Sequence, residues 1–241
     1  MDGLKGQKVI IVGGGSGIGF GIAQRVFDEG GDVVLAGRSE EKLKTAAKQI
    51  GLPESAKLIA ADITNEEDVI RLFESAGEFD HLITTAASLS YAPIRDMDIA
   101  DMRRSIDSKL LSSMLLAKHG CSRIRSGGSI TFTSGIAADR PMPRASAVAA
   151  VNSGLAGLAR ALAVELAPTR VNVISPGWVS TPIWETVAGD NRYAMFEQMA
   201  MRLPAGRIGL PGDIAEAALF LMRSEFTTGI VLPVDGGHRL V

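Results

Sequence analysis

The chain has 241 residues, 46% of them hydrophobic, and a formal net charge of −2, the composition of one large globular unit. Charge this close to neutral gives no basic surface for nucleic acid, no acidic tail and no electrostatic hold on a membrane. No apolar run approaches the roughly 18 residues that span a bilayer, and the first strand pattern begins within about eight residues, too soon for a signal peptide, so a cytoplasmic protein is expected.

Short apolar runs at 9–12, 33–36, 57–60, 81–84, 129–133, 171–174 and 230–234 alternate with helix-patterned segments. The alternation predicts right-handed βαβ units, hence an α/β fold: a Rossmann-type doubly wound parallel sheet of about seven strands with helices on both faces. One domain over residues 1–241 is expected, and in such sheets ligands bind beyond the carboxyl ends of the strands.

The first strand runs into Gly13-Gly14-Gly15-Ser16-Gly17-Ile18-Gly19 and then a helical pattern through Phe20, Ile22, Ala23, Val26 and Phe27. Gly13 suits a tight turn, Gly17 close approach of a pyrophosphate and Gly19 close helix–strand packing, while the helix N-terminus offers free N–H groups. Gly13, Gly15, Ser16, Gly17, Ile18 and Gly19 are therefore read as a dinucleotide cradle; the bland alternative is a glycine-rich loop without a ligand.

After the second strand stand Arg38 and Ser39 where an acidic residue would bind a ribose 2′-hydroxyl. A cation with a hydroxyl suits a 2′-phosphate, so NADP(H) is expected over NAD(H). Asp62 and Ile63 follow the third strand and suit the adenine edge and an apolar lid over its ring; helix-turn capping is the structural reading of the aspartate.

A helix predicted over 99–119 places Met102, Ile106, Lys109, Leu110 and Ser113 on one core-facing stripe. A lysine there must reach water, a carbonyl or a functional site. Ser126-Gly127-Gly128 precedes the fifth strand and Ser134 closes it. A helix over 145–167 is crowded with alanine, glycine and serine, and Pro168 ends it. Cys121 is the only cysteine, and His81, His119 and His238 are scattered, so no disulfide and no catalytic metal are expected.

The segment Arg170-Val171-Asn172-Val173-Ile174-Ser175-Pro176-Gly177-Trp178-Val179-Ser180-Thr181-Pro182 carries a specific pattern. So do Pro211-Gly212-Asp213-Ile214-Ala215 and Thr228-Gly229-Ile230-Val231-Leu232-Pro233-Val234-Asp235-Gly236-Gly237. With the glycine turn, Arg38 and Asp62, these make the chain resemble the short-chain dehydrogenase/reductase family over essentially its whole length. The resemblance implies hydride transfer between a nicotinamide cofactor and a carbonyl or alcohol. It places Pro176, Gly177, Val179 and Thr181 at the carboxamide, Ala86 and Ala87 beside a ribose, and a substrate lid near 184–204. It also implies a homo-oligomer, expected as a tetramer, through the small-residue helix.

Family members use a serine, then Tyr-x-x-x-Lys, and an asparagine one helix earlier. Ser134 matches the serine. Counting onward from it puts the other two at Ala147 and Val151; counting back from Gly157-Leu158-Ala159-Arg160 puts them at Val148 and Asn152. The asparagine position is Lys109. The chain thus reads as a divergent member in which Lys109, its pKa lowered by burial, donates or relays the proton while Ser134 polarises the carbonyl. Tyr193 in the lid and Tyr91 are lesser candidates. Arg140 and Arg144 admit an anionic substrate, although solvated loop charges are the plainer reading. The alternative is an NADP(H)-binding structural or sensing protein of the same fold without turnover.

Overall fold

The computed structural model describes residues 3–241, the side chains of Thr186 and Val187 excepted. Each expected strand forms: β1 (Lys8–Val12), β2 (Asp32–Gly37), β3 (Leu58–Ala60), β4 (Phe79–Thr84), β5 (Ile124–Thr133), β6 (Arg170–Pro176) and β7 (Val231–Val234). They make one sheet in the order β3-β2-β1-β4-β5-β6-β7, parallel throughout. The winding reverses between β1 and β4, which opens a crevice at their carboxyl ends.

The helices are α1 (Gly17–Asp28), α2 (Glu40–Ile50), α3 (Glu66–Ala76), α4 (Ile99–Ile106), α5 (Ser112–Gly120), α6 (Ser146–Glu165), α7 (Ile183–Ala188), α8 (Arg192–Arg202) and α9 (Pro211–Arg223). Successive strand residues point to opposite faces, so the sheet feeds two cores. On one face Val9, Ile11, Val33 and Leu35 meet Ile22 and Val26 of α1 and Ile214 and Ala218 of α9. On the other, Ile10, Val12, Leu82, Phe132 and Val173 meet Leu72 and Phe73 of α3, Leu116 of α5 and Leu155 of α6. Burial on both faces explains why the strands read as unbroken apolar runs.

Three expectations need correction. β5 starts at Ile124 and passes through Ser126-Gly127-Gly128, where its register against β4 shifts between Phe79 and His81; the glycines sit in an irregularity inside the strand. The helix expected over 99–119 is interrupted by a π-helical turn over Asp107–Leu111. Its buried stripe holds Ser105, Ser108, Lys109, Ser112 and Ser113, whereas Ile106 is 46% exposed. The stripe is polar because it packs against irregular backbone after β4, whose N–H groups need acceptors. Finally, α6 is long and apolar enough, by length and composition, to cross a membrane. Asn152, Ser153 and Arg160 break it up as a sequence run, and Val148, Val151, Leu155 and Ala159 seat it on the sheet.

Candidate cofactor cleft and the buried lysine beside it

At the carboxyl ends of β1, β2, β3 and β4 lies a cleft of about 390 Å³. β1 ends at Val12 and the chain turns at once, with Gly13 at φ +87° and its N–H donating to the Ala36 carbonyl at 2.8 Å. A Cβ on Gly19 would fall 2.2 Å from the Gly13 carbonyl oxygen, so α1 reaches this close to the turn only with glycine there. The Ser16 hydroxyl makes no capping bond, and the first turn of α1 holds no acid.

α2 and α3 begin differently. Ser39 and Asn65 accept N–H bonds from Lys42 and Asp68, and acids occupy both first turns. The positive end of α1 is thus left uncompensated where Ser16, Gly17 and Ile18 line the cleft, and a pyrophosphate fits such a helix end.

At one end the exposed Arg38 and the half-buried Ser39 form the wall. Ser39 Oγ accepts the Lys42 N–H at 3.3 Å and keeps its own proton to donate. Lys42 lines the same wall and was not singled out from the sequence, although it stands in the first turn of α2 beside two residues that were. Asp62 and Ile63 line the cleft as expected. The Asp62 carboxylate accepts the Thr64 N–H at 3.0 Å and the Thr64 hydroxyl at 2.8 Å. These bonds, the N–H first, and the more distant Arg38 charge hold its pKa below the usual aspartate value against the effect of burial. The aspartate shapes the turn, and the helix cap is Asn65.

Toward the other end the cleft is lined by Ala86, Ala87 and Thr181. Gly19, Pro176, Gly177 and Val179, expected at the cofactor, are not among the residues that line it. The Val179 carbonyl accepts the Trp184 indole N–H at 2.9 Å. Trp184 meets Trp178 with centroids 4.5 Å apart and ring planes tilted by 33°, and meets Phe196 edge-on at 5.4 Å, which ties α7 and α8 to the loop after β6. The π-helical turn fixes the loop after β4: Ser108 Oγ accepts the Ser88 N–H and donates to the Ser88 carbonyl, both at 2.9 Å.

Lys109 is buried, and its Nζ donates to the Ser134 backbone carbonyl at 3.0 Å. Burial pushes its pKa down to about 8. The Ser134 hydroxyl donates to the Asn152 carbonyl at 3.0 Å. This corrects the expected arrangement: Ser134 meets Lys109 through its main chain, and its hydroxyl proton points into α6. Both residues lie just outside the lining of the cleft.

Of the tyrosines, Tyr91 is half-exposed and burial raises its pKa, which keeps it protonated. Tyr193 stands exposed on α8 with its hydroxyl 3.0 Å from Arg192 Nη2. Arg144, at φ +72°, donates to the Tyr91 carbonyl at 3.4 Å and so ties two rim loops together. Arg140 is exposed on the same rim.

Residues 13–239 match the family model described as enoyl-(acyl carrier protein) reductase. The short-chain dehydrogenase/reductase malC of Malbranchea aurantiaca is 34% identical over 255 residues, covering 99% of this chain and 97% of its own. Among solved structures, a small-chain dehydrogenase in complex with NADPH gives a TM-score of 0.85 at 34% identity, over 98% of this chain and 99% of that one. The MalC reductase/Diels–Alderase from Malbranchea aurantiaca gives 0.92 at 32% identity, over 100% and 99%. Agreement at this level over the full length of both chains goes beyond a shared fold: the chain belongs to the short-chain dehydrogenase/reductase family, oxidoreductases that work with a nicotinamide nucleotide.

Proposed function

We propose that the protein is an NADP(H)-dependent oxidoreductase of carbonyl and alcohol substrates in which Lys109 stands in for the Tyr-x-x-x-Lys pair. Positions 147, 148, 151 and 152 hold Ala, Val, Val and Asn, so neither group is supplied from α6. Arg38, Ser39 and Lys42 on one wall of the cleft support the phosphorylated nucleotide, as does NADPH in a neighbour of 34% identity.

When bound, the nicotinamide supplies or accepts the hydride. The chain's own residues do the rest. The N-terminus of α1 with Gly13, Gly15, Ser16, Gly17 and Ile18 holds the pyrophosphate; Arg38 and Ser39 bind the 2′-phosphate; Asp62 and Ile63 flank the adenine. Ala86 and Ala87 leave room for a ribose. Thr181 and the Val179 N–H, on the loop opened by Pro176 and Gly177, hold the carboxamide.

Lys109 delivers a proton toward the carbonyl oxygen as negative charge develops there. From behind the cleft lining it does so across a bound water. A pKa of about 8 brings the amine near its working pH, where acid–base catalysis is most effective. Ser134 anchors the amine through its carbonyl.

The observation that carries this reading is an ammonium buried without a carboxylate among the described residues and held by one backbone carbonyl. Lys109→Met is expected to lower kcat for carbonyl reduction by about 10²- to 10⁴-fold with NADPH affinity unchanged; unchanged turnover would sink the role. The place of Lys109 and Ser134 outside the cleft lining favours a second reading, a protein that binds NADP(H) as a structural or sensing ligand. That reading requires tight NADPH binding with no turnover in a broad carbonyl screen.

A further inference from the structure

Asn152, on α6, is 2% exposed. Its Nδ2 donates to the Gly135 carbonyl at 3.4 Å and its backbone carbonyl accepts the Ser134 hydroxyl, yet its Oδ1 is shut off from solvent with no partner among the described residues. Buried amide oxygens are nearly always bonded, and an exception marks a place where water, a ligand or a functional group completes the set.

Lys109 is the complementary case. An ammonium has three donors, and one of them is spent on the Ser134 carbonyl at 3.0 Å. The two side chains bond successive backbone carbonyls: Lys109 that of Ser134 and Asn152 that of Gly135. Gly135 makes room for the amide, since a Cβ there would stand 3.1 Å from Asn152 Nδ2.

We infer that Asn152 is a positioning residue for Lys109: its Oδ1 takes an N–H of the ammonium across one buried water and so sets the direction in which the amine presents its proton. This rests on the reading of Lys109 as the proton-transfer group. No charged group contributes to the lowered proton affinity of Lys109, which burial causes. A neutral acceptor at this place therefore acts on an otherwise uncompensated charge, where its effect is greatest.

The test is NMR titration of the lysine Nζ groups in ¹⁵N-lysine-labelled protein, with and without NADPH, for the natural sequence, Asn152→Leu and Asn152→Asp. Loss of the acceptor is expected to weaken proton binding at Lys109 by about tenfold. Asn152→Asp, which puts a charge in the same place, is expected to strengthen it beyond the natural value. A Lys109 titration that is the same in all three proteins overturns the proposal.

If Asn152→Leu does not fold, the Asn152→Asp titration decides alone. In a Lys109→Met background, Asn152→Leu is expected to cause no further change in turnover, because the coupling is gone. The two readings fail separately: normal turnover of Lys109→Met removes the proton-transfer role, whereas an unmoved titration removes only the positioning role.

Discussion

Lys109 is a residue the fold carries at a cost. Its pKa is about 8 in the folded protein and near 10.5 when solvated. Between those values the unfolded chain binds more protons than the folded one, so this residue's contribution to stability improves as pH rises through that window. Near neutrality the amine is charged in both states and the full cost of burying it is present. Lys109→Met is accordingly expected to raise stability in neutral buffer, on the order of 1–3 kcal/mol, and to flatten the alkaline rise; urea unfolding at several pH values measures both. Carbonyl reduction is expected to decline as pH rises through about 8 and the ammonium is lost. Ser134→Ala removes the bond to the Asn152 carbonyl but leaves the Lys109 anchor. It should cost about 1 kcal/mol of stability while turnover changes little. Arg38→Glu is expected to weaken NADPH binding by about 10- to 100-fold, the value of a charge-assisted hydrogen bond, and to leave NADH binding intact; calorimetric titration with each nucleotide separates the two. The glycine turn was legible because its residues answer local constraints, such as the close approach at Gly19. The direction of the Ser134 hydroxyl was not, because it is set by where α6 lays a carbonyl.

At the scale of elements, the doubly wound parallel sheet followed from the alternation of apolar runs, since βαβ units cover such a sheet on both faces. The π-helical turn over Asp107–Leu111 left no such trace. Its register is dictated by the loop after β4, whose Ser88 N–H and carbonyl both close on the Ser108 hydroxyl. π-Turns within helices collect at functional sites, and here one places Ser108 against the cleft and Lys109 behind it. Ser108→Ala should leave two backbone groups of that loop without partners, at a cost of about 1–3 kcal/mol. Faster hydrogen exchange confined to residues near Ser88, with weaker NADPH binding, is the expected signature. β5 shows the opposite error: its glycines read as a stop, but the strand absorbs them through a register shift against β4.

For the whole molecule, the small-residue helix α6 and the α4–α5 edge each leave apolar surface uncovered. Ile99, Ile106, Leu111 and Met114 are all exposed on that edge, and Val164 on α6. Exposed apolar side chains gathered on neighbouring elements suit an interaction face, and a homotetramer is proposed on these helices. The double substitution Leu111→Glu and Met114→Glu is expected to shift the protein to smaller species in light scattering, with the fold retained by circular dichroism. An unchanged tetramer would move the interface elsewhere. The composition of α6 showed that a close helix partner was possible; which of its faces stays open depended on how Val148, Val151 and Leu155 seat it on the sheet.

The chain has two tryptophans, and both sit in one place, Trp178 tilted against Trp184, whose indole N–H is tied to the Val179 carbonyl. All tryptophan emission therefore originates on either side of Thr181, Pro182 and Ile183, which line the cleft. The protein carries an optical gauge at the edge of its own cleft: quenching on addition of NADPH would time the seating of the nucleotide in a stopped-flow trace, with no label attached and no substrate yet in hand.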